Sequence, residues 1–314
     1  MTDEAVEDDL DRLATAVEND LDRLASAFER TFPDLRPVRP LSVLGRGFRS
    51  VALETPGGVV LRVGQSPDAA HDYAKEWRIG HFLAERVPGV LPEPAWYTEP
   101  CPDFTHGALG YRKLPGDPPA WGVDPGAPFA RDLGAFMARL HQLPVTDARA
   151  AGVPEVDSYR RLQQARDVVG PTLAIRLPPA ALARIEAWWA ALAADRRMET
   201  PRLAVCHHDL WHDNLLRSAS GRLSGVLDIA HVEVGDPAHD FSAPRYFGEA
   251  FTAELIIAYR AAGGTFDVGD AYRAQRFHEG REFGGLAWAI EHNDEREVDV
   301  AIEKIVRGPL FAGP

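Results

Sequence analysis

One short segment near the middle of the chain carries polar side chains at the spacing that phosphoryl transfer requires. Asp209 stands two residues after His207, Asn214 follows five residues later, and Asp228 ends an apolar run further on. Phosphoryl transfer needs one carboxylate to accept the hydroxyl proton, and an amide oxygen and a second carboxylate to hold Mg²⁺ on the nucleotide phosphates. The spacing therefore predicts that Asp209 is the catalytic base and that Asn214 and Asp228 bind the metal.

The same segment resembles the catalytic loop of the aminoglycoside phosphotransferase family, which includes choline-kinase-like and fructosamine-kinase-like enzymes. Members usually have the pattern H-G-D-L-H-P-x-N, then a strand that ends in Asp, then G-D-P-x-x-D. The chain matches this pattern at His207, Asp209, Asn214, Asp228 and Asp240. The resemblance implies that Asp240 anchors the backbone of the catalytic loop, and we expect His207 to orient that loop through hydrogen bonds.

Two positions of the segment depart from the family pattern. His208 stands where Gly is common, and Trp211 stands where His is common. Trp at this position is also similar to the fructosamine-kinase variant. The family name therefore leaves the acceptor open among aminoglycosides, amino sugars, other sugars, macrolides and choline-like alcohols.

Other interpretations of these residues explain less of the pattern. His208 and His212 have the i, i+4 spacing of zinc ligands on a helix, but a metal hydrolase would leave Asn214 and Asp228 without a role. A protein kinase needs a long activation loop, and Gly235 follows Asp228 too closely for one. A nucleotide-binding pseudokinase or scaffold without turnover is the alternative from a different class, and the intact acidic residues argue against it.

Upstream of this segment, short strands predict a nucleotide-binding lobe. Three strands are predicted at 41–44, 51–54 and 59–63. Gly45, Gly47 and Ser50 lie in the turn between the first two, where a kinase-like fold lays its backbone over the nucleotide phosphates. We therefore expect these three residues to contact the nucleotide.

A cation and a carboxylate follow the glycine-rich turn at a useful spacing. Arg62 lies on the third predicted strand, and Glu76 lies on a helix predicted over 69–83. A cation there can hold the α- and β-phosphates while the helix carboxylate orients it. Kinases have Lys at this place, and the family resemblance includes members with Arg, which binds phosphate as a two-pronged fork.

The stretch from Leu109 to Gly116 is predicted to be an edge strand followed by a hinge near 111–116. We expect the backbone around Tyr111 and Lys113 to meet the adenine ring. Beyond a Pro- and Gly-rich run the pattern becomes helical. Late helices are predicted at 249–262, 271–292 and 297–307, and the resemblance implies that such helices build the acceptor pocket.

The N-terminal thirty residues contain an eleven-residue repeat. Segments 9–19 and 20–30 are identical at eight of eleven positions, and their apolar residues recur every three or four positions. This spacing predicts an amphipathic helix with one apolar stripe. The stripe has two candidate partners, the small lobe of the same chain or a twin helix in a homodimer.

Composition excludes several classes of protein. The net charge of −13 argues against nucleic-acid binding, although the first thirty residues alone carry ten acidic residues and three arginines. No apolar run reaches the length of a membrane span, and the acidic N-terminus does not have the pattern of a signal peptide. With only two cysteines, these features predict a cytoplasmic protein that binds neither nucleic acid nor membrane.

The sequence predicts an α+β, two-lobed protein-kinase-like fold. Its parts would be a helical extension at 1–30, a β-rich nucleotide-binding lobe at 31–115 and a helical lobe at 116–314. The predicted reaction is ATP- and Mg²⁺-dependent phosphorylation of a hydroxyl group on a small polyhydroxylated molecule, such as a sugar or an amine-bearing aminoglycoside. GTP is not excluded as the donor.

Overall fold

The structure is a computed structural model, and it describes residues 20–47, 49–199 and 201–312. The chain separates into two compact units, with the boundary between Leu114 and Pro115. The first unit is built on an antiparallel sheet, and the second is mostly helical. This boundary falls inside the range given for the hinge, and the hinge itself stays a prediction.

Five antiparallel strands form the sheet of the first unit. In chain order they are β1 (Ser42–Arg46), β2 (Ser50–Glu54), β3 (Val59–Gly64), β4 (Pro94–Thr98) and β5 (Ala108–Arg112). Their spatial order is β1-β2-β3-β5-β4. The three strands predicted before residue 65 are confirmed, each end within two residues of the prediction.

The prediction of an edge strand at Leu109 is wrong. The strand is β5, and it lies between β3 and β4, so that Tyr111 is paired with Val60 on one side and with Pro94 on the other. No strand was predicted at β4, which forms the edge on this side of the sheet. Its first residue is a proline, which cannot donate a hydrogen bond to a neighbouring strand and is therefore typical of an edge.

The second copy of the N-terminal repeat forms a helix, α1, of which residues 20–31 are described. Leu21, Leu24 and Phe28 pack against the core of the first unit. The Phe28 side chain is fully buried, and its ring lies 4.7 Å from that of Phe104. The apolar stripe of this copy therefore packs on the sheet of its own chain, while the first copy, residues 9–19, lies outside the described residues.

One long helix, α2 (Pro67–Arg86), follows β3. It extends beyond the predicted range of 69–83 at both ends. Pro67 occupies the first helical position, which suits a residue that has no backbone N–H to satisfy. The buried face of α2 includes Tyr73, Glu76 and Ile79, so Glu76 points towards the sheet that carries Arg62.

The second unit contains seven helices among the described residues, together with short strands and 3-10 turns. The helices are α3 (Ala127–His141), α4 (Val145–Ala150), α5 (Ser158–Arg176), α6 (Pro179–Ala194), α7 (Glu249–Ala261), α8 (Val268–Glu291) and α9 (Glu295–Arg307). The strands form two antiparallel pairs, β6 (Ala204–Cys206) with β9 (Glu233–Gly235) and β7 (Leu215–Arg217) with β8 (Leu223–Val226). The 3-10 turns cover Arg196–Met198, His212–Asn214, Ile229–His231, Pro237–Phe241 and Ala243–Phe247.

The three late helices are confirmed, with α8 beginning three residues before its predicted start at 271. Its early start has a local cause, because Asp267 caps the helix and accepts hydrogen bonds from the backbone N–H groups of Gly269 and Asp270. The Asp270 carboxylate accepts one from the Asp267 N–H in return, which completes a capping box. No helix of the described residues is long and apolar enough to cross a membrane.

Candidate active site

The backbone of the catalytic loop is held by one buried carboxylate. Oδ2 of Asp240 accepts a hydrogen bond from the His207 N–H at 2.7 Å, and its Oδ1 accepts one from the His208 N–H at 2.7 Å. His141 Nε2 also lies 3.0 Å from Oδ2. Burial alone would raise the pKa of the Asp240 carboxyl, but the hydrogen bond to His141 and the nearby histidines hold this pKa below its ordinary value.

The side chain of His207 joins the loop to the segment that carries Asp228. Its Nδ1 lies 3.3 Å from the Asp209 backbone nitrogen, and its Nε2 lies 3.0 Å from the Leu227 carbonyl oxygen. A backbone N–H can only donate, so Nδ1 accepts and the proton of the neutral ring sits on Nε2. Burial lowers the pKa of His207, which favours this neutral form.

Asn214 binds the candidate base directly. Its Nδ2 donates to the Asp209 backbone oxygen at 3.0 Å and to Asp209 Oδ2 at 2.7 Å. Since the amide nitrogen faces Asp209, the amide oxygen is the atom that can bind a cation. The Leu227 N–H donates to the Asn214 backbone oxygen at 2.7 Å, which brings Asn214 beside the end of β8.

Asp228 follows β8 in a left-handed backbone conformation, with φ 62° and ψ 58°. Asp209, Asp228 and His231 each have one potential metal-ligand atom in the same place, and these three atoms lie within 4.8 Å of one another. Carboxylate and amide oxygens are the ligands that Mg²⁺ prefers, so Asp228 and Asn214 fit a magnesium site. The sequence analysis missed His231, because nothing in the spacing of a lone histidine marks it as a neighbour of Asp228.

In the first unit, the predicted cation and its predicted carboxylate form an ion pair. Arg62 Nη1 lies 2.7 Å from Glu76 Oε1, and the Glu76 side chain is only 1% exposed. The Arg62 guanidinium also lies 5.2 Å from the centre of the Tyr73 ring. A buried carboxylate of this kind fixes the position of the guanidinium, and a guanidinium is a group that can bind phosphate oxygens as a fork.

The glycine-rich turn between β1 and β2 is closed by its own backbone. The Gly47 N–H donates to the Ser50 carbonyl oxygen at 2.9 Å. At Gly45 the register of β1 against β2 shifts, which marks a bulge, and a Cβ there would meet no atom within 4 Å. The space where a side chain of Gly45 would stand is therefore open.

Tyr111 and Lys113, the residues predicted to lie beside adenine, occupy the end of β5 and the residue after it. Tyr111 is almost fully buried. The Lys113 ammonium lies 2.7 Å from Glu54 Oε2, and the Lys113 N–H donates to the Gly58 carbonyl oxygen at 2.9 Å. The Lys113 side chain is thus engaged within the sheet.

Aromatic rings and an arginine lie next to Asp209 in the second unit. Arg281 of α8 donates from Nη2 to Asp209 Oδ1 at 3.1 Å, and its guanidinium lies 3.9 Å from the centre of the Trp211 ring. Trp121 and Tyr246 complete a cluster with Trp211, with ring centres 4.3 to 5.5 Å apart. Arg281 lies on α8, one of the late helices that the resemblance implied for the acceptor pocket, whereas Trp121 and Tyr246 were not predicted as part of the site.

Two glutamates of α8 near this cluster, Glu279 and Glu282, are both paired. Glu282 Oε1 lies 3.2 Å from Arg281 Nη1 and accepts from the Tyr246 hydroxyl at 3.4 Å. Glu279 Oε1 lies 2.8 Å from Arg276, and its Oε2 accepts from the Trp188 indole N–H at 2.6 Å. Burial, followed by the charge of Glu282, raises the pKa of the Tyr246 hydroxyl, so this group stays protonated and donates.

His208 and His239 form a second pair of rings behind the loop. Their ring centres lie 4.7 Å apart, and His208 has a left-handed backbone with φ 66°. Burial lowers the pKa of His208 well below its ordinary value and that of His239 to about 4. Both rings are therefore neutral near pH 7. The left-handed backbone explains why glycine is common at this position of the family pattern, since glycine adopts it without steric cost.

The sequence model of the phosphotransferase enzyme family matches residues 37–278. An uncharacterized protein of Bacillus subtilis (strain 168), YcbJ, is 27% identical over 240 residues, which cover 71% of this chain and 75% of the relative. A viomycin phosphotransferase of Streptomyces vinaceus is 35% identical over 98 residues, 30% of this chain and 33% of the relative.

Solved structures share the fold. The GDP and kanamycin complex of APH(2")-IIia superposes with a TM-score of 0.77 and 20% identity, covering 90% of this chain and 96% of that one. At this level of sequence identity, the structural similarity supports a shared fold and nothing more. The predicted two-lobed protein-kinase-like fold, with an antiparallel sheet in the N-terminal part and a helical C-terminal part, is confirmed.

Proposed function

The chain belongs to the phosphotransferase enzyme family, a class that acts on hydroxyl groups, and from this premise we propose that it transfers the γ-phosphoryl group of ATP to a small polyhydroxylated molecule. The observation that carries the proposal is the arrangement around Asp209. A carboxylate that can accept a proton lies beside the carboxylate of Asp228 and is hydrogen-bonded to Asn214. Phosphoryl transfer requires these groups together.

In the proposed reaction, Asp209 positions the acceptor hydroxyl and takes its proton. The hydroxyl oxygen forms a bond to the γ-phosphorus, while the bond from that phosphorus to the bridging β–γ oxygen breaks and ADP leaves. Asn214 and Asp228 would hold Mg²⁺, which neutralises charge on the phosphate oxygens when it is bound. Asp240 and His207 would keep the loop backbone in place through the hydrogen bonds described above.

We assign the nucleotide phosphates to residues of the first unit. Arg62, oriented by Glu76, would hold the α- and β-phosphates, and the backbone at Gly45, Gly47 and Ser50 would cover them. Tyr111 and Lys113 would lie beside the base. ATP is the proposed donor, and the GDP present in the complex of a structural neighbour makes GTP the donor to test beside it.

The acceptor class is proposed from the relatives. One relative is named for viomycin, and one structural neighbour is a complex with kanamycin. Antibiotics and sugars that carry several hydroxyl groups, with or without amino groups, are therefore the first candidates. Glu279 and Glu282 are already paired with arginines, so an amine would have to compete with Arg276 or Arg281 for them.

A coupled assay of ADP release over a panel of such compounds, run with ATP and with GTP, tests this function. We expect turnover with at least one small hydroxyl compound, dependence on Mg²⁺, and loss of turnover in Asp209→Asn. Labelling of protein substrates without turnover of any small alcohol would contradict the proposal. Nucleotide binding without any turnover would support the scaffold alternative instead.

Two further proposals concern the setting of the protein. We place it in the cytoplasm, where ATP and Mg²⁺ are available. A homodimer through the N-terminal helical extension, residues 1–30, is the second, and the mass in solution measured by light scattering tests it. A mass of one chain at micromolar concentration would contradict this homodimer.

A further inference from the structure

Arg281 is hydrogen-bonded directly to the candidate base, Asp209. Its Nη2 donates to Asp209 Oδ1 at 3.1 Å, while Asn214 Nδ2 donates to the other carboxylate oxygen at 2.7 Å. Both oxygens of the candidate base are therefore engaged. An incoming hydroxyl competes with these two donors for the lone pairs of the carboxylate. Asn214 is itself a candidate metal ligand, so the Arg281 contact is the one that we expect to rearrange.

Two groups besides Asp209, Glu282 and Trp211, contact the Arg281 guanidinium, and Tyr246 supports Glu282. Its Nη1 lies 3.2 Å from Glu282 Oε1, and its centre lies 3.9 Å from the centre of the Trp211 ring. The Tyr246 hydroxyl donates to the same Glu282 oxygen. Because Trp211, Tyr246 and Glu282 position the guanidinium independently of Asp209, it stays beside the reaction centre when an acceptor takes over the contact with Asp209.

We propose that Arg281 is a specificity-determining residue that covers Asp209 in the absence of acceptor and selects acceptors with oxygen atoms, rather than an ammonium group, next to the reacting hydroxyl. The proposal rests on the proposed function. Hydroxyl and carboxylate oxygens can accept the N–H groups that Arg281 withdraws from Asp209. An ammonium group at the same distance has no lone pair to offer and is repelled by the guanidinium. An amino group elsewhere on the acceptor is compatible with this arrangement.

The first measurement is ADP release without any acceptor, when water is the attacking group. The water oxygen then bonds to the γ-phosphorus, the bond to the β–γ bridging oxygen breaks, Asp209 takes the proton, and ADP and phosphate leave. If Arg281 covers Asp209, Arg281→Gln should raise this release at least threefold above the wild type. Arg281→Lys, which keeps the charge and loses the fork, should lie between the two.

Arg276→Gln is a matched control on the same helix. Arg276 is 22% exposed, as Arg281 is, pairs with a glutamate at 2.8 Å, and lies over the ring of Tyr272. Arg276 has no hydrogen bond or ion pair with Asp209, so its loss should leave the release unchanged. In the double variant Asp209→Asn/Arg281→Gln, ADP release without acceptor should fall to the level of Asp209→Asn alone. The increase expected for Arg281→Gln requires the Asp209 carboxylate.

The second measurement compares glucose, glucuronate and glucosamine as probes in the same assay. Glucose and glucuronate should stimulate ADP release of the wild type more than glucosamine does, and Arg281→Gln should shrink that difference about tenfold. If glucosamine stimulates ADP release of the wild type at least as much as glucose does, the proposed preference for oxygen atoms over an ammonium group is wrong. If both Arg281 variants release ADP without acceptor at the wild-type rate while their melting curves and nucleotide binding are normal, that result contradicts the proposal that Arg281 covers Asp209.

The two levels of proposal fail in different ways. If no variant releases ADP and the wild type is inactive with every compound of the acceptor panel, both the proposed function and this inference are wrong. Wild-type turnover on a panel compound, combined with Arg281 variants that behave like Arg276→Gln, overturns the inference alone.

Discussion

Two non-glycine residues of the candidate active site, His208 and Asp228, have left-handed backbones. Such a conformation costs about 1–3 kcal/mol for a residue with a Cβ, and it persists only where the surroundings hold it. At His208 the hydrogen bond from its N–H to Asp240 does so. At Asp228 the turn sets the direction of a carboxylate that we assign to a metal, so the strain serves the geometry of the site.

The division of labour between the two aspartates can be tested by their responses to Mg²⁺. Asp209→Asn keeps the shape of the side chain and removes the proton acceptor, so nucleotide binding should survive while kcat falls about 10²–10⁴-fold. Asp228→Asn removes a charged metal ligand, so both Mg²⁺-dependent nucleotide affinity and kcat should fall. Steady-state kinetics and nucleotide titrations over a range of Mg²⁺ concentrations measure these effects.

High Mg²⁺ should partly restore Asp228→Asn and leave Asp209→Asn unchanged, because only the first variant has a weakened metal site. Equal responses of the two variants would show that the assignment of base and ligand is wrong. Near-normal turnover of Asp209→Asn would do the same.

The neutral His208 makes stability depend on pH. Its folded-state pKa is lowered by burial, so the unfolded chain binds a proton at this residue before the folded chain does. Stability is therefore lost as the pH falls below about 6.5, by at most about 1.4 kcal/mol per pH unit for one proton. We expect His208→Gly, which removes this proton and relieves the left-handed strain, to lose less stability than the wild type between pH 7 and pH 5.

Denaturant unfolding at several pH values checks the expectation for His208. His292→Gln is a suitable control, because this histidine, directly after α8, is exposed. A His208→Gly curve parallel to that of the wild type over the whole range would contradict the buried neutral state of the ring.

At the residue scale, the sequence predicted those parts of the site that follow one another along the chain. Asp209 and Asn214 are five residues apart, and the loop that contains them is bonded to Asp240 of the next motif. Arg281, Trp121 and Tyr246 come from distant segments, and their types are as common on ordinary helices and loops as in active sites. Only the packing of the second unit brings them to Asp209, so no spacing could have identified them.

At the element scale, periodicity predicted the helices and hairpin strands, while pairing required the structure. The strand β5 is apolar and bounded by turn residues, which does not tell an inner strand from an edge strand. The short strand β4 begins with Pro94, an unfavourable residue for a strand centre, and so escaped prediction. Its pairing with β5 decides which strand is the edge.

The second copy of the N-terminal repeat should be an integral part of the first unit. Phe28→Ala removes a fully buried ring that packs on Phe104, so we expect a loss of about 3–5 kcal/mol in the free energy of unfolding. Ile175→Ala, at a helical position that is 83% exposed, is the control and should change stability by less than about 0.5 kcal/mol. Equal melting temperatures of the two variants would mean that α1 is not needed for the fold.

Two helical glycines should respond to alanine with opposite signs. At Gly134 of α3, a Cβ would lie 2.6 Å from the Leu255 carbonyl oxygen of α7, so Gly134→Ala must push the two helices apart and should destabilise by about 1–3 kcal/mol. At Gly284 of α8, a Cβ meets nothing within 4 Å, and alanine should stabilise by about 0.5–1 kcal/mol through its helix propensity. Thermal denaturation of both variants decides this, and a stabilising Gly134→Ala would contradict the close approach of α3 and α7.

At the scale of the whole molecule, the fold could be predicted because its motifs occur in a fixed order. A glycine-rich turn, Arg62 with Glu76, the catalytic loop and Asp228 follow one another as in kinases. The acceptor could not be predicted in the same way. It depends on side chains of several late helices, and a sequence alone does not say which of these face solvent and which face the reaction centre.

A last prediction concerns the stability of the whole chain with its proposed ligands. A ligand that binds only the folded state stabilises it by RT ln(1 + [L]/Kd), about 2.7 kcal/mol when its concentration is one hundred times Kd. Mg²⁺ with a non-hydrolysable ATP analogue should therefore raise the melting temperature, and EDTA should remove the part that depends on the metal. Asp228→Asn should lose this metal-dependent part, while Asp209→Asn should keep most of it. A melting temperature that does not respond to millimolar Mg²⁺ and nucleotide, with ATP or GTP analogues, would argue against nucleotide binding itself, independently of any acceptor.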